Sequence, residues 1–233
     1  MSLKKLLIFG AGETGAIAAE FFLIDSKEKL AGFIVDDNFY SPGLTHLGLP
    51  VHPLSSIPDR FPENKYKIFV AISYGELNRK RLRIFDHFKL LGYEFATYIS
   101  SNANIWRTAS IGENCLIFEG NNIQHRSQIE DNVILWSGNH IGHGSIIKHS
   151  CYLSSHVCIA GFSEVGERSF IGINSSIIDK IKVSEDCFIG AATLINRNTE
   201  PNSIYTGNPG QKNLKISKDG SKLLFTTEVY IDC

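Results

Sequence analysis

Five of the eight histidines fall in one short stretch, at His125, His140, His143, His149 and His156. Imidazole changes charge near neutral pH, so such a cluster suits general acid–base chemistry or metal ligation. Their positions can be compared because the chain around them carries its own ruler. From Ile105 to Ile195 every sixth residue is Ile, Leu or Val, without insertion. Four residues after each of these stands a second column that is nearly all small: Ala109, Cys115, Asn121, Ser127, and so on through Cys151 and Cys187 to Thr199.

A six-residue unit of this kind is a short strand and a corner, and it buries its aliphatic side only when stacked on copies of itself. Three units per turn make a triangular prism. The aliphatic column then fills the inside, and the small column fits the corners. Residues 18 apart lie on adjacent coils, about 4.8 Å from one another. One outward column therefore runs Arg107, His125, His143, Gly161, Asp179, Arg197, and another runs Glu113, Asp131, His149, Glu167, Glu185. His143 stands between His125 and Gly161. A neutral imidazole beside a glycine N–H is a base-plus-oxyanion arrangement for acyl transfer, with His125 as a supporting candidate. His149 stands in an acidic stripe and reads as a solvated surface residue. Spacing assigns nothing to His140 or His156.

The first hundred residues must position whatever this corner acts on. Leu6-Leu7-Ile8-Phe9 reads as a buried parallel strand, and Leu30 to Val35 as a second. Between them lies Gly10-Ala11-Gly12-Glu13-Thr14-Gly15, opening a helix, and the second strand ends in Asp36-Asp37. Glycines let the backbone approach a phosphate, the helix start offers free N–H groups, and the acids can accept a ribose hydroxyl. Gly12, Glu13, Thr14, Gly15, Asp36 and Asp37 are thus candidate nucleotide contacts. The competing account is a tight strand-to-helix turn that binds nothing. Lys67 to Ile72 reads as a third strand, followed by Ser73 and by a basic amphipathic helix from Leu77 to Leu91 whose Arg81 is placed to reach a phosphate. Phe95 to Ile99 reads as a last strand. The unit is too short to carry a full dehydrogenase.

Composition sets further bounds. The chain has 233 residues, 43% hydrophobic and 20% charged, with a formal net charge of −1. Nothing there calls for nucleic acid or a membrane surface. The five cysteines are odd in number and form no CxxC pair. Cys115, Cys151 and Cys187 fall in the small column, which reads as buried packing in a reducing compartment. Lys4-Lys5 and the apolar run after it imitate a signal peptide, but Glu13 interrupts the run and an α/β unit follows. No apolar run reaches the roughly 20 residues of a membrane span. A cytoplasmic protein is expected.

At this point the residues carry a family resemblance. Phe9 to Gly15, Asp36-Asp37, Val70 to Ile72, Asn139 to His143, His156 to Gly161, Ile171 to Ser176 and Gly207 to Gly210 together resemble the NeuD/PglD-type sugar acyltransferases. The resemblance covers residues 5 to about 212. It implies an α/β Rossmann-like half-unit (1–103) followed by an all-β left-handed parallel β-helix of hexapeptide repeats (104–212), with 213–233 as a tail. The handedness comes from the resemblance alone. So does the activity it implies: transfer of acetyl from acetyl-CoA to the amine of a nucleotide-linked 4-amino-4,6-dideoxy sugar, for surface glycans, by a homotrimer that binds CoA between subunits. On the same grounds His143 is the base and Gly161 N–H faces the thioester carbonyl. Gly161, Ile173, Asn174, Gly190 and Pro209 are candidate CoA contacts, and Ser73 joins the nucleotide-sugar set. Asn139 and Tyr152 are supporting candidates. No metal is expected.

The chain departs from the family pattern at four places. Gly144 stands where relatives carry an acid after the base, Tyr152 where a second His is common, Ser73 where a Gly is usual, and Gln211 ends the Pro209-Gly210 motif. Three rivals remain. One is O-acetylation of a free sugar of the sialic-acid type. Another is a zinc-dependent hydratase like the gamma-class carbonic anhydrases, whose His pair five residues apart is missing here. The third is a non-catalytic nucleotide-binding trimer. A hairpin turning at Asp219-Gly220 is expected in the tail.

Overall fold

The computed structural model describes residues 4–215. The first part is a sheet with helices on both faces. Its elements are β1 (Lys5–Phe9), α1 (Glu13–Asp25), β2 (Leu30–Val35), β3 (Thr45–His46), β4 (Leu49–Pro53), α2 (Ile57–Arg60), β5 (Tyr66–Val70), α3 (Arg79–Leu90) and β6 (Glu94–Phe95). The order is β3-β4-β2-β1-β5-β6, parallel except for β3 on β4. Strands buried on both faces are continuous apolar runs, as in β1, where Leu6, Leu7 and Ile8 are wholly buried.

The second part is the prism. Two-residue strands from Tyr98–Ile99 to Leu194–Ile195 form three parallel sheets, each strand paired with the one 18 residues on, as Leu116↔Ile134 and Ile117↔Leu135. The six-residue column fills the interior, from Ile117 through Leu135, Ile141 and Leu153 to Ile195. Cys115, Cys151 and Cys187 lie among them, and burial pushes their thiols up to about 12, 12 and 11. Every sixth residue from Asn114 to Ala192 has a positive φ. The corners are therefore left-handed single residues, which cost a non-glycine roughly 1–2 kcal/mol each. The coil is a left-handed parallel β-helix.

One of the three faces is apolar on its outside as well. Tyr98, Leu116, Ile134, Tyr152, Phe170 and Phe188 form an outward column on it, and α1 packs there. Phe22 meets Tyr98 edge-on at 5.6 Å between centroids, Phe21 meets Phe118 at 5.0 Å, and Tyr74 meets Tyr152 at 5.0 Å. Such aromatic pairs contribute about 0.5–1.5 kcal/mol each beyond the area they bury. The corresponding columns on the other two faces are largely polar, with Asn122, His140, Cys158 and Ser176 on one and Ser110, Gln128, Glu164 and Lys182 on the other. The α/β unit is thus docked on one face by the hydrophobic effect.

Three expectations change. The strand expected over Phe95 to Ile99 is two strands: β6 ends the α/β sheet, and Tyr98–Ile99 is the first rung of the prism. The two parts therefore meet at about residue 97 rather than at 103. The boundary expected between 212 and 213 falls inside a strand (Gln211–Lys215), which pairs antiparallel with Ser203–Thr206 at the end of the covered face. The Asp219-Gly220 turn lies outside the described residues. Third, Arg81 is not a phosphate contact. It is fully buried, and its guanidinium donates to the carbonyls of Ile72, Ser73, Asn132, Ser150 and Cys151 at 3.1–3.3 Å. The Cys151 carbonyl also accepts from Ile134 N–H, but the loop and corner carbonyls of Ile72, Ser73, Asn132 and Ser150 have no strand partner, and the guanidinium fork supplies their donors. Burial brings Arg81 down to about 10, so it stays charged at neutral pH.

Candidate active site

The base candidate sits at the corner between the two uncovered faces, after the strand His140–Ile141. The ring of His143 lies nearly parallel to that of His125, with 5.4 Å between centroids and 12° between planes. Its other side covers Gly161, where a β-carbon would come within 2.6 Å of Cε1 and 2.8 Å of Nε2. The stacking expected from the 18-residue column is therefore a direct contact of rings and backbone. The backbone N–H of His143 donates to Gln124 Oε1 at 3.1 Å, and Phe162 meets its imidazole edge-on at 4.8 Å and 86°. Among the described residues no carboxylate reaches either ring nitrogen of His143.

Gly161 is buried, and among the described residues its N–H has no hydrogen-bond acceptor, whereas its neighbours Ala160 and Phe162 donate to Ile177 and His143 carbonyls. An unsatisfied N–H on the residue that an imidazole packs against is what an oxyanion needs from its surroundings. Gly142 keeps that N–H open, since a β-carbon there would come within 2.7 Å of the Gly161 nitrogen.

Two supporting candidates fall away from this corner. Asn139 is 1% exposed and is a rung of the coil: its Nδ2 donates to the Trp136 carbonyl and its Oδ1 accepts from Val157 N–H. Tyr152 is 6% exposed on the covered face, stacked on Phe170, and burial pushes its hydroxyl up to about 12. His149 pairs with Glu167 at 3.2 Å, in the acidic column where the spacing put it. Gln124 and Phe162, which do touch His143, escaped sequence reasoning. Gln124 lies in a column that looks structural, and Phe162 reads only as an apolar residue next to a glycine.

The glycine loop joins β1 to α1. A β-carbon on Gly15 would come within 2.0 Å of the Gly10 carbonyl oxygen, so this position accepts only glycine. Gly12 is exposed, has open space where a side chain would be, and begins α1 without a side-chain cap. The first N–H groups of the helix are thereby uncapped by side chains. Glu13 is exposed and Thr14 half-buried on that first turn. Asp36 is exposed at the end of β2, while the Asp37 carboxylate accepts from Ser55 Oγ at 2.7 Å. Ser73 follows β5 on the same edge, its carbonyl held by Arg81. Gly12, Thr14, Asp36 and Ser73 thus gather at one end of the sheet, and Arg81 does not join them.

The CoA candidates do not all gather. Gly161 is at the His143 corner. Ile173, Asn174 and Gly190 are at the next corner, across the face that carries His140 and Cys158, and Pro209 is exposed in the hairpin beyond. Gly190 has a packing reason to be glycine, since a β-carbon would come within 2.9 Å of Thr206 Cγ2.

An α/β unit docked on one face of a β-helix, with a histidine packed against a glycine at the opposite corner, defines a class of two-part architecture. Among solved structures the chain is similar to perosamine N-acetyltransferase from Caulobacter crescentus, solved as a histidine variant with CoA and GDP-perosamine. The identity is 23%, the TM-score 0.82, and the match covers 92% of this chain and 99% of that one. It is also similar to the acetyltransferase domain of PglB from Neisseria gonorrhoeae, at 22% identity and TM-score 0.80, over 91% of this chain and 100% of that one. WeeI from Acinetobacter baumannii matches at 17% identity and TM-score 0.58, over 91% and 100%. No family model and no curated protein matches the chain. The likeness establishes the fold over nearly its whole described length.

Proposed function

We propose that the protein transfers acetyl from acetyl-CoA to the amine of a nucleotide-linked amino-deoxy sugar, a 4-amino-4,6-dideoxyhexose, in the cytoplasm and for surface glycan assembly. The observation that carries this is the His143 imidazole packed against the backbone of Gly161, a residue whose N–H has no acceptor among the described residues. The shared fold supports the choice of substrates, since one similar structure holds CoA and GDP-perosamine and the PglB domain has been solved with acetyl-CoA. No helix among the described residues is long and apolar enough to cross a membrane.

In this mechanism the neutral amine attacks the thioester carbonyl, and His143 takes the proton that the new C–N bond releases. Gly161 N–H stabilises the oxyanion of the tetrahedral intermediate. Collapse re-forms the carbonyl and expels the CoA thiolate, to which the imidazolium returns the proton. No covalent enzyme intermediate is needed. The buried thiols of Cys115, Cys151 and Cys187 have no part in it.

The nucleotide loop and His143 of one chain lie on opposite sides of the prism, because the α/β unit covers the face opposite the His143 corner. We infer that the amine is presented by the α/β unit of a second copy, and that the active form is a homotrimer. CoA would then lie between subunits, in contact with Gly161 of one and the Ile173–Asn174 corner of another.

The test is a panel of UDP-, GDP- and dTDP-linked amino sugars with acetyl-CoA, read as free thiol. Release is expected with at least one of them. His143→Ala should lower it by about 10²–10⁴-fold, and His125→Ala by less. Silence across the panel, or equal losses in the two variants, would sink this assignment.

A further inference from the structure

Phe162 is an exposed aromatic whose ring nevertheless holds a fixed place against the base. It is 61% exposed, although it is a large aromatic. Its φ of 57° is the left-handed value that every corner of the coil shares, so the corner sets its backbone and leaves the side chain to be explained. Its ring nevertheless has a defined seat. It lies across the backbone of the preceding coil, where a β-carbon on Gly144 would come within 2.8 Å of Cδ1 and 2.9 Å of Cε1. From that seat it meets the His143 imidazole at 86° with 4.8 Å between centroids. The backbone locks the pair in register, since Phe162 N–H donates to the His143 carbonyl at 2.9 Å.

A histidine acting as a base is commonly held in orientation by a hydrogen bond from its second nitrogen to a carboxylate or carbonyl. His143 has no such partner among the described residues, and the Phe162 ring occupies the space into which a side chain at 144 would extend. What confines the imidazole is its surroundings: His125 parallel on one side, the Gly161 backbone on the other, and Phe162 at its edge. His125 is itself exposed and Gly161 has no side chain, which leaves Phe162 as the ring that stops the imidazole turning about its Cβ–Cγ bond.

We propose that Phe162 is the positioning residue of His143, orienting the base by an edge-to-face ring contact where a hydrogen-bonded acid would otherwise do so. This rests on the assignment of His143 as the base. The ring is uncharged, so it acts on geometry. Its removal lowers turnover without shifting the pH at which the base titrates.

Phe162→Leu keeps an apolar side chain and removes the ring, whereas Phe162→Tyr keeps the ring. The Leu variant is expected to lose about ten- to a hundredfold in kcat. KM for both substrates should stay within about twofold, and the acid limb of the kcat/KM profile should stay in place. The Tyr variant should restore turnover. Unchanged kcat in the Leu variant would overturn the proposal, as would equal loss in both variants, a moved acid limb, or a loss that follows a change in oligomeric state. The last result would make Phe162 a subunit contact instead. Imidazole NMR of His143 separates this proposal from the assigned reaction. If the wild-type protein turns over no sugar nucleotide, the reaction assignment fails. A His143 ring equally ordered in wild type and Phe162→Leu sinks the positioning role by itself.

Discussion

The backbone of Gly161 and the imidazole of His143 share one space: a β-carbon on residue 161 would come within 2.6 Å of the ring's Cε1 and 3.0 Å of its Nδ1. Gly161 does not have a left-handed φ, so alanine is permitted by the backbone and excluded only by the ring. Gly161→Ala should therefore fold, displace the base and crowd the oxyanion donor. A kcat loss of about 10²–10³-fold is expected, the scale of losing one oxyanion-hole donor. Near wild-type turnover, with circular dichroism unchanged, would remove Gly161 from the site.

The separation of the two candidate sites within a chain makes a complementation test direct. His143→Ala removes the base and Asp36→Ala removes an exposed acid beside the glycine loop. Each alone should be impaired. In the proposed trimer, co-expression of the two chains gives mixed assemblies in which some sites pair an intact corner with an intact loop. Measurable recovery of thiol release over the separately purified variants is expected. No recovery despite proven mixed assembly would mean that each chain serves its own acceptor.

Arg81 ties the α/β unit to the prism through carbonyls alone. Arg81→Met keeps much of the volume and leaves the Asn132 and Ser150 corner carbonyls without their donor. A loss of about 2–4 kcal/mol in unfolding free energy is expected, read from the urea midpoint. A shift under about 1 kcal/mol would show that water replaces the guanidinium.

Acid should loosen the same interface at its other end. Asp25 at the end of α1 accepts from Ser101 N–H and from Tyr98 OH, both at 2.8 Å, and these bonds hold its carboxyl below its ordinary value of 3.8. A carboxylate with a depressed folded pKa stabilises above its unfolded value, and that contribution is lost as pH falls through the folded one. Stability should therefore decline with acidification below 3.8, and Asp25→Asn should flatten the slope there. An equally steep decline in the variant would assign the acid sensitivity elsewhere, for instance to Glu164 or Glu167. Both are also held low, despite the opposing effect of burial, by Lys182 and Lys148 and by Arg168 respectively.

Much of the fold was legible because its periodicities are local. Ile117, Leu135 and Leu153 repeat at a fixed step, and any chain that buries them all must stack them. The same ruler placed His143 beside His125 and Gly161, and both contacts exist. The docked face was equally present in the sequence, in the column Tyr98, Leu116, Ile134, Tyr152, Phe170 and Phe188, but it emerges only when each face of the prism is tallied separately. Asn139 and Tyr152 were misplaced for the opposite reason: each was carried over from matched positions, against what its own column implied.

What the sequence by itself determined is the prism, its register and the neighbours of the base along the coil axis, since strand stacking converts a step of 18 into adjacency. What only the tertiary structure decided are contacts that obey no step. Arg81 lies on a basic helix face in the sequence and is fully buried in the fold, because loop and corner carbonyls from two units converge on it. Phe162 and Gly144 look unrelated until a left-handed corner lays one across the other. The glycine loop and His143 belong to one chain but face opposite sides of it, because a hydrophobic face chooses where the α/β unit docks. Periodic burial is encoded residue by residue, whereas the meeting of two units depends on surfaces that exist only after each has folded.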